Sequence, residues 1–422
     1  MKILWVSNII FPEACQKLNI TAPVVGGWMQ SAAKSLIELN KDIKLAVISL
    51  YNGKALLKIT DFPILYYLIP NKKGNQIYNP QLEKFFSQIE KDFNPDIIHI
   101  HGSEYPHSLA CAKACTNKNI IVSIQGLVST YYYYYWGGIQ IKDIKKFRTF
   151  RDFIRHDDLI SQQKKMQQRG EYEKELIKTV SHIIGRTSWD RANTWAINPN
   201  AQYHFCNETL RPQFYRTNWD YEKCNKHTIF LSQGYYPLKG IQQVLHALPL
   251  ILSHYPDTKI LVAGNNFINK KSYLINGFAN YIKHLIEKYK IQDHIQFLGL
   301  LDETKMATQY AKAHVFICPS AIENSPNSVG EAQLVGTPCI ASYVGGTMDM
   351  ITDGYTGFLY RFEETAMLAK KVCNLFNNEK LCKQISKQEK SVAQIRHDQK
   401  TNAKRLNEIY LSILHHDNKL DI

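Results

Sequence analysis

Two glutamates stand eight positions apart, Glu323 and Glu331, in the run ICPSAIENSPNSVGEAQLVGTPCIASYVGGTMDMITDGYTGFLY, residues 317–360. A carboxylate accepts hydrogen bonds from paired hydroxyls, the pattern that a ribose or a sugar ring presents. Between the two acids lie Asn324, Pro326, Asn327 and Ser328. A helix starting there would offer backbone N–H groups and the positive end of its dipole, which suit a phosphate or diphosphate without a metal. Further back, Lys239 precedes Gly240 in YYPLKG, where an ammonium can neutralise charge building on a diphosphate leaving group. An isolated pair of glutamates would read as solvated surface acids. The Pro-Ser, Pro-Asn, Gly-Thr-Pro and Gly-Gly groups around this pair favour a ligand site instead.

Those side chains need elements to hold them. The apolar run His314–Cys318 predicts a strand, Ser325-Pro326 opens a helix, and Gly336 with Pro338 ends it. A second strand, Cys339–Tyr343, then runs into Gly345-Gly346. This is a βαβ unit, and in open α/β sheets ligands gather at the carboxyl ends of strands. The first half alternates in the same way: Ile3–Ser7, Trp28–Leu39, Leu45–Leu50, Leu82–Phe93, Ile97–His101, Ser108–Cys115 and Ile120–Ile124. Alternation of short apolar runs with three-and-four-spaced helices implies a parallel sheet covered on both faces. Gly26-Gly27, just before a predicted helix, permits close approach of backbone to a phosphate. His99 and His101 share one face of a strand end, and a hydrogen-bonded pocket is preferred there to a metal site. Arg186 follows a predicted strand and either meets substrate or pairs with Asp190.

Residues 128–170 interrupt the alternation. Tyr131 to Tyr135 lead into Trp136-Gly137-Gly138 and then IKDIKKFRTFRDFIRHDDLI. Ile141, Ile144, Phe147, Phe150, Phe153 and Ile154 form an apolar face edged by Lys and Arg. Such a segment packs on its domain, caps a cleft, or lies on an anionic membrane surface.

The run from 317 to 360 resembles the retaining glycosyltransferases of family four, whose signature is a strand, Pro-Ser, then Glu, seven residues, Glu. The similarity extends over most of the chain and is strongest to the branch that builds capsule, exopolysaccharide or lipopolysaccharide. It implies an α/β GT-B fold: two Rossmann-like, doubly wound domains facing a central cleft. The boundaries expected are 1–215 for an acceptor-binding domain, a linker near 216–226, and 227–395 for a nucleotide-sugar-binding domain. A last helix, about 402–422, returns to the first domain.

By resemblance, Glu323 and Lys239 are catalytic, and the donor is bound by Gly26, Gly27, Gly234, Asn324, Pro326, Asn327, Ser328 and Glu331. His101, Gln125 and Arg186 fall in an acceptor or sugar pocket. Two departures stand out. The family usually carries an arginine five residues before the lysine, where this chain has Gly234, and often a histidine where it has Gln125. Glycine cannot grip a phosphate as a forked guanidinium does, so Arg186 or Arg211 substitutes, or donor binding is weaker. The activity implied is a retaining, metal-independent, hexosyltransferase-like transfer to a glycan or lipid-linked glycan acceptor in cell-surface polysaccharide synthesis. The alternative is a non-catalytic, nucleotide-sugar-binding partner of another glycosyltransferase.

At 422 residues two or three domains are expected, and 45% hydrophobic with 21% charged residues is a globular balance. Nine cysteines without a C-x-x-C pair argue for a reducing compartment and against a zinc site. The net charge of +14 suits anionic partners. Nucleic acid is disfavoured, since no helix-turn-helix, RNA-recognition or zinc-finger signature occurs. No D-x-D, G-x-G-x-x-G or P-loop motif is present, so no metal clamp or other cofactor is expected. The longest apolar run, Phe62 to Pro70, is too short to span a bilayer. Met1-Lys2 leads directly into a strand, so a cytoplasmic enzyme is expected, with possible placement at the inner membrane face.

Overall fold

The computed structural model describes residues 1–417 apart from 25, 73, 75 and 270. It divides into two compact units. The first comprises residues 1–130, 165–210 and 397 onward; the second comprises 131–164 and 211–396.

The first unit is built on eight strands: β1 (Lys2–Ser7), β2 (Lys44–Tyr51), β3 (Leu57–Ile59), β4 (Leu65–Pro70), β5 (Ile97–His101), β6 (Ile120–Ser123), β7 (His182–Gly185) and β8 (Gln202–Phe205). Their order is β3-β4-β2-β1-β5-β6-β7-β8, parallel throughout except for the β3–β4 pair. β1 pairs Leu4 with Ala46 on one side and with Ile98 on the other. Successive residues serve opposite faces: Leu4, Val6, Ile98 and Ile100 enter one core, while Ile3, Trp5 and Ile97 enter the other. Near-continuous apolar strands are what a parallel sheet buried on both faces demands.

The second unit holds β9 (Asn225–Leu231), β10 (Lys259–Val262), β11 (Ile295–Phe297), β12 (Ala313–Cys318), β13 (Cys339–Ser342) and β14 (Phe358–Tyr360). They form one parallel sheet in the order β11-β10-β9-β12-β13-β14. In each sheet the strand order reverses once beside its first strand, between β1 and β5 and between β9 and β12. Crevices at such reversals are where α/β sheets take ligands.

The division departs from the expected boundaries in two places. Residues 131–164 pack with the second unit rather than with the domain that precedes them in sequence. The stretch 216–226, expected as a linker from its charge, is seated in the second unit. Trp219 is buried there, its backbone N–H bonding the Val335 carbonyl at 2.9 Å and its indole the Ala313 carbonyl at 2.7 Å. The insertion's apolar face is also corrected. Thr149 caps a new helix, Phe150–Arg155, through a reciprocal capping box with Asp152. The break after Ile141–Phe147 resets the helical phase. Ile144 and Phe147 turn inward, and the Phe147 ring meets Tyr281 at 5.5 Å, while Phe150, Phe153 and Ile154 remain exposed.

The last helix, Gln399–Asp417, lies in the first unit. Its Tyr410 hydroxyl accepts the Trp5 indole N–H at 3.0 Å and bonds His99 Nδ1 at 2.6 Å. Residues 418–422 of the expected final helix lie outside the described residues. Among the described residues no helix is long and apolar enough to cross a membrane.

Candidate active site

The second sheet brings Lys239 and Glu323 together from the two strands that flank its reversal. β9 ends at Leu231, and a 3-10 turn, Pro237–Lys239, carries the lysine to Gly240. Gly240 takes φ +73°, and a Cβ there would run into the Pro319 carbonyl, so glycine is what lets this turn sit against the loop after β12. β12 ends at Cys318 and leads to Glu323. The Lys239 ammonium forms an ion pair with Glu323 Oε1, which also accepts the Ser320 hydroxyl at 2.7 Å. Burial pulls the lysine's pKa down, but Glu323, helped by Tyr236, outweighs it and holds the ammonium well above the usual lysine range. The lysine is therefore charged.

Eight residues on, Glu331 projects from the helix Asn327–Val335. Pro326 is its N-cap and Gly336, at φ +86°, its C-cap, so the Pro-start and Gly-stop signals mark real ends. The first N–H groups of a helix have no partner within it, and Asn327 and Ser328 supply those here. Glu331 Oε1 accepts both the Nε and Nη2 of Arg211, at 3.0 and 2.7 Å. Burial raises its pKa, with Arg211 opposing. Arg211 is thus committed to Glu331 in this structure. Gly234 packs under Ile241, whose Cδ1 would stand 2.9 Å from an added Cβ; a larger residue there needs the Ile241 side chain to shift.

In the first unit, His101, Gln125 and Arg186 line one cavity of about 40 Å³, with Trp28, Glu208 and Asn402, room for two or three waters. His101 ends β5 and stacks on His99 at 3.8 Å between ring centroids. Neither of its buried ring nitrogens has a hydrogen-bond partner. Burial, then the nearby His99 and Arg186, holds its pKa well below the imidazole range, so it is neutral. Arg186 pairs with Glu208, and its Nη2 donates to the Ile124 carbonyl at 2.8 Å. Its link to Asp190, one of the two alternatives open from sequence, runs through the backbone N–H at 2.9 Å. Gly26, at φ +78°, caps the helix Gly27–Leu39. Sequence reasoning missed Glu208 and Asn402, which carry no local motif, and it left Ser320 without a role although the Pro-Ser step was conspicuous.

Residues 219–392 match the family model for glycosyl transferases group 1. Both glutamates, Lys239 and the whole of the second sheet's reversal lie inside that stretch. Among curated proteins, YtcC of Bacillus subtilis is 27% identical over 207 residues, 49% of either chain. The capsular polysaccharide biosynthesis glycosyltransferase CapM of Staphylococcus aureus is 29% identical over 150 residues, 34% of this chain and 35% of that one. The phosphatidyl-myo-inositol mannosyltransferase of Mycobacterium leprae is 27% identical over 162 residues, 38% and 40%. The aligned stretches thus span half or less of these relatives.

Solved structures extend the likeness of fold across the chain. The sucrose-phosphate synthase of Thermosynechococcus elongatus superposes with a TM-score of 0.72 at 14% identity, covering 99% of this chain and 100% of that one. HepE of Anabaena, solved with UDP and glucose, gives 0.66 at 15%, covering 98% and 100%. The two parallel-sheet α/β units are those of the GT-B fold.

Proposed function

We propose that the chain is a glycosyltransferase that moves a sugar from a nucleoside diphosphate sugar to an acceptor hydroxyl, retaining the anomeric configuration and using no metal. The observation that carries this reading is the buried Lys239–Glu323 pair at the reversal of the second sheet, within the stretch that matches the glycosyl transferases group 1 model. As the bond from the sugar to the diphosphate breaks, Lys239 and the N-terminus of the helix Asn327–Val335 take up the charge left on phosphate. Glu323 orients the sugar and stabilises its positive character, and Glu331 holds the ribose hydroxyls. Gly26 and Gly27 add backbone amides to the diphosphate. His101, Gln125 and Arg186 belong to the acceptor or sugar pocket, where His101 is a neutral hydrogen-bonding group. UDP is the first nucleotide to try, because HepE was solved with it.

The acceptor we propose is a glycan or lipid-linked glycan in cell-surface polysaccharide synthesis, with the enzyme working in the cytoplasm. The similarity to CapM, a capsular polysaccharide biosynthesis glycosyltransferase, supports this. Contact with an anionic membrane fits the insertion: Phe150, Phe153 and Ile154 are 78%, 60% and 59% exposed, and Phe150 and Ile154 share a surface hollow with Tyr273, Arg151 and Arg155. Replacing Phe150, Phe153 and Ile154 by Ser should abolish flotation with phosphatidylglycerol vesicles; unchanged flotation rejects the contact.

A thermal-shift series with UDP, GDP and ADP, with and without magnesium, tests the donor pocket. A ligand that binds only the folded chain raises its melting temperature. One nucleotide should do so without magnesium, and Glu331→Ala should lose the effect. Binding without transfer to any acceptor would favour a non-catalytic donor-binding partner, the role that Gly234 and Gln125 would suit.

A further inference from the structure

The cavity at the carboxyl ends of β5, β6 and β7 in the first unit has a lining of two kinds. One kind is nitrogen. Both ring nitrogens of His101, Nε2 of Gln125 and Nε of Arg186 are buried without a hydrogen bond. His101 and Arg186 are buried almost completely, whereas Gln125, Trp28 and Asn207 are half-buried and leave a way in. The other kind is apolar: the Trp28 ring with Ala32, Ile184, Ala403 and Leu406. His99 also lines the cavity, but its Nδ1 and Nε2 are taken by Tyr410 and Ser123, each at 2.6 Å. Arg186 and Glu208 pair through Nη1, so the pocket carries no net charge while Nε stays open to a ligand.

A neutral imidazole offers one N–H and one bare nitrogen, whereas the Gln125 amide nitrogen and Arg186 Nε only donate. Donors outnumber acceptors, so the matching group accepts at least two hydrogen bonds and gives one. A carboxylate gives none and would meet the charge of Glu208. A hydroxyl gives and accepts, but it leaves the apolar side against water. An acetamido group answers both kinds of lining. Its carbonyl accepts from Gln125 and Arg186, its N–H donates to His101, and its methyl covers the apolar side. The cavity's room for two or three waters is also room for an acetyl group, which has as many heavy atoms. We propose that this cavity is a specificity pocket for the acetamido group of an N-acetylated amino sugar. This rests on the sugar-pocket reading above and adds to it the class of sugar.

Calorimetric titrations into the wild type, Gln125→Met and Ala32→Val test this in two arms. One compares UDP-N-acetylglucosamine with UDP-glucose, and the other compares methyl N-acetylglucosaminide with methyl glucoside. In at least one arm the wild type should bind the N-acetyl form about tenfold tighter, the size of a hydrogen bond with a buried methyl. A preference among the conjugates puts the group on the donor, and one among the glycosides puts it on the acceptor. Gln125→Met keeps the length and removes the amide, so it should cut the preference about two- to tenfold. Ala32→Val narrows the apolar side and should weaken the N-acetyl form alone; unchanged binding of the hydroxyl form shows that both variants are folded. No preference in either arm means that the cavity holds water only and overturns the proposal. So does a preference that both variants keep. The donor pocket is read separately, from UDP, GDP and ADP in wild type and Glu331→Ala: if none of them binds, that pocket fails and the acetamido pocket stands or falls on the glycoside arm.

Discussion

Each unit buries an ion pair beyond the carboxyl ends of its strands, and the two pairs are made differently. Arg186 and Glu208 are tied into the framework around them. The guanidinium also bonds the Ile124 carbonyl, and the Arg186 N–H bonds Asp190, which caps the helix Ser188–Ile197 and accepts the Tyr203 hydroxyl at 2.5 Å. The arginine side chain is 4% exposed. Lys239 is 17% exposed, stands at the end of a single turn, and meets Glu323 through one oxygen that Ser320 shares. A charge held from several sides defines a shape. One held by a single exchangeable contact can be handed to a ligand. We therefore propose that the first pair, though it lines the pocket, serves mainly the framework, and that the second serves chemistry.

The largest effect should come from breaking the framework pair. Arg186→Met strands the Glu208 carboxylate in the interior, and removing one partner of a buried pair costs about 3–5 kcal/mol. Urea unfolding should show that loss, and adding Glu208→Leu should recover most of it. A variant that keeps its stability but no longer uses acceptor would make Arg186 a substrate residue and dissolve the contrast.

Glu323→Gln is the matching test of the other pair. Turnover should fall by about 10²–10³-fold, the usual cost of losing an electrostatic group at the reacting centre. Its stability loss should be smaller than that of Arg186→Met, because water already reaches the lysine. A large drop in unfolding free energy with little change in turnover would show that both pairs are framework.

The difference between the pairs also marks what the sequence could reveal. Glu323 and Lys239 sit in βα connections and Glu331 in the helix that follows one of them, where strand ends, Pro-Ser, Gly336 and the helix period are all local signals. Two parallel sheets follow from the same alternation. Arg211's union with Glu331 spans 120 residues and has no local sign. The insertion was misplaced for a similar reason. It is anchored to the second unit by contacts such as Gly277 N–H to Asp152 at 2.7 Å and Thr149 hydroxyl to the Ile275 carbonyl at 3.0 Å. A run of evenly spaced aromatics suggested one amphipathic face, but Thr149 restarts the helix and sends Phe147 inward and Phe150 outward. Charge in 216–226 suggested a linker, although Trp219 seats the stretch through backbone carbonyls that pattern does not expose.

The smallest effect is one of pH, and it involves a carboxyl without an ion-pair partner. Glu104 follows β5 in the loop Gly102-Ser103-Glu104, and its Oε2 is buried with no hydrogen bond. Burial pushes its pKa from 4.5 up to about 7; its own backbone N–H opposes this, Glu173 adds to it, and Arg169 and Arg186 oppose it more weakly. The folded chain thus keeps a proton that the unfolded chain loses sooner. The stability this brings is fully present below about pH 4.5 and disappears as pH rises to about 7. Glu104→Gln keeps the shape and cannot ionise. Melting temperatures between pH 5 and pH 8 should therefore fall less steeply in Glu104→Gln than in wild type, and the variant should be the more stable of the two above pH 7. Parallel curves would mean that Glu104 is ionised in the folded chain, with a cation near it compensating the charge, and the first unit would then hold a second buried ion pair.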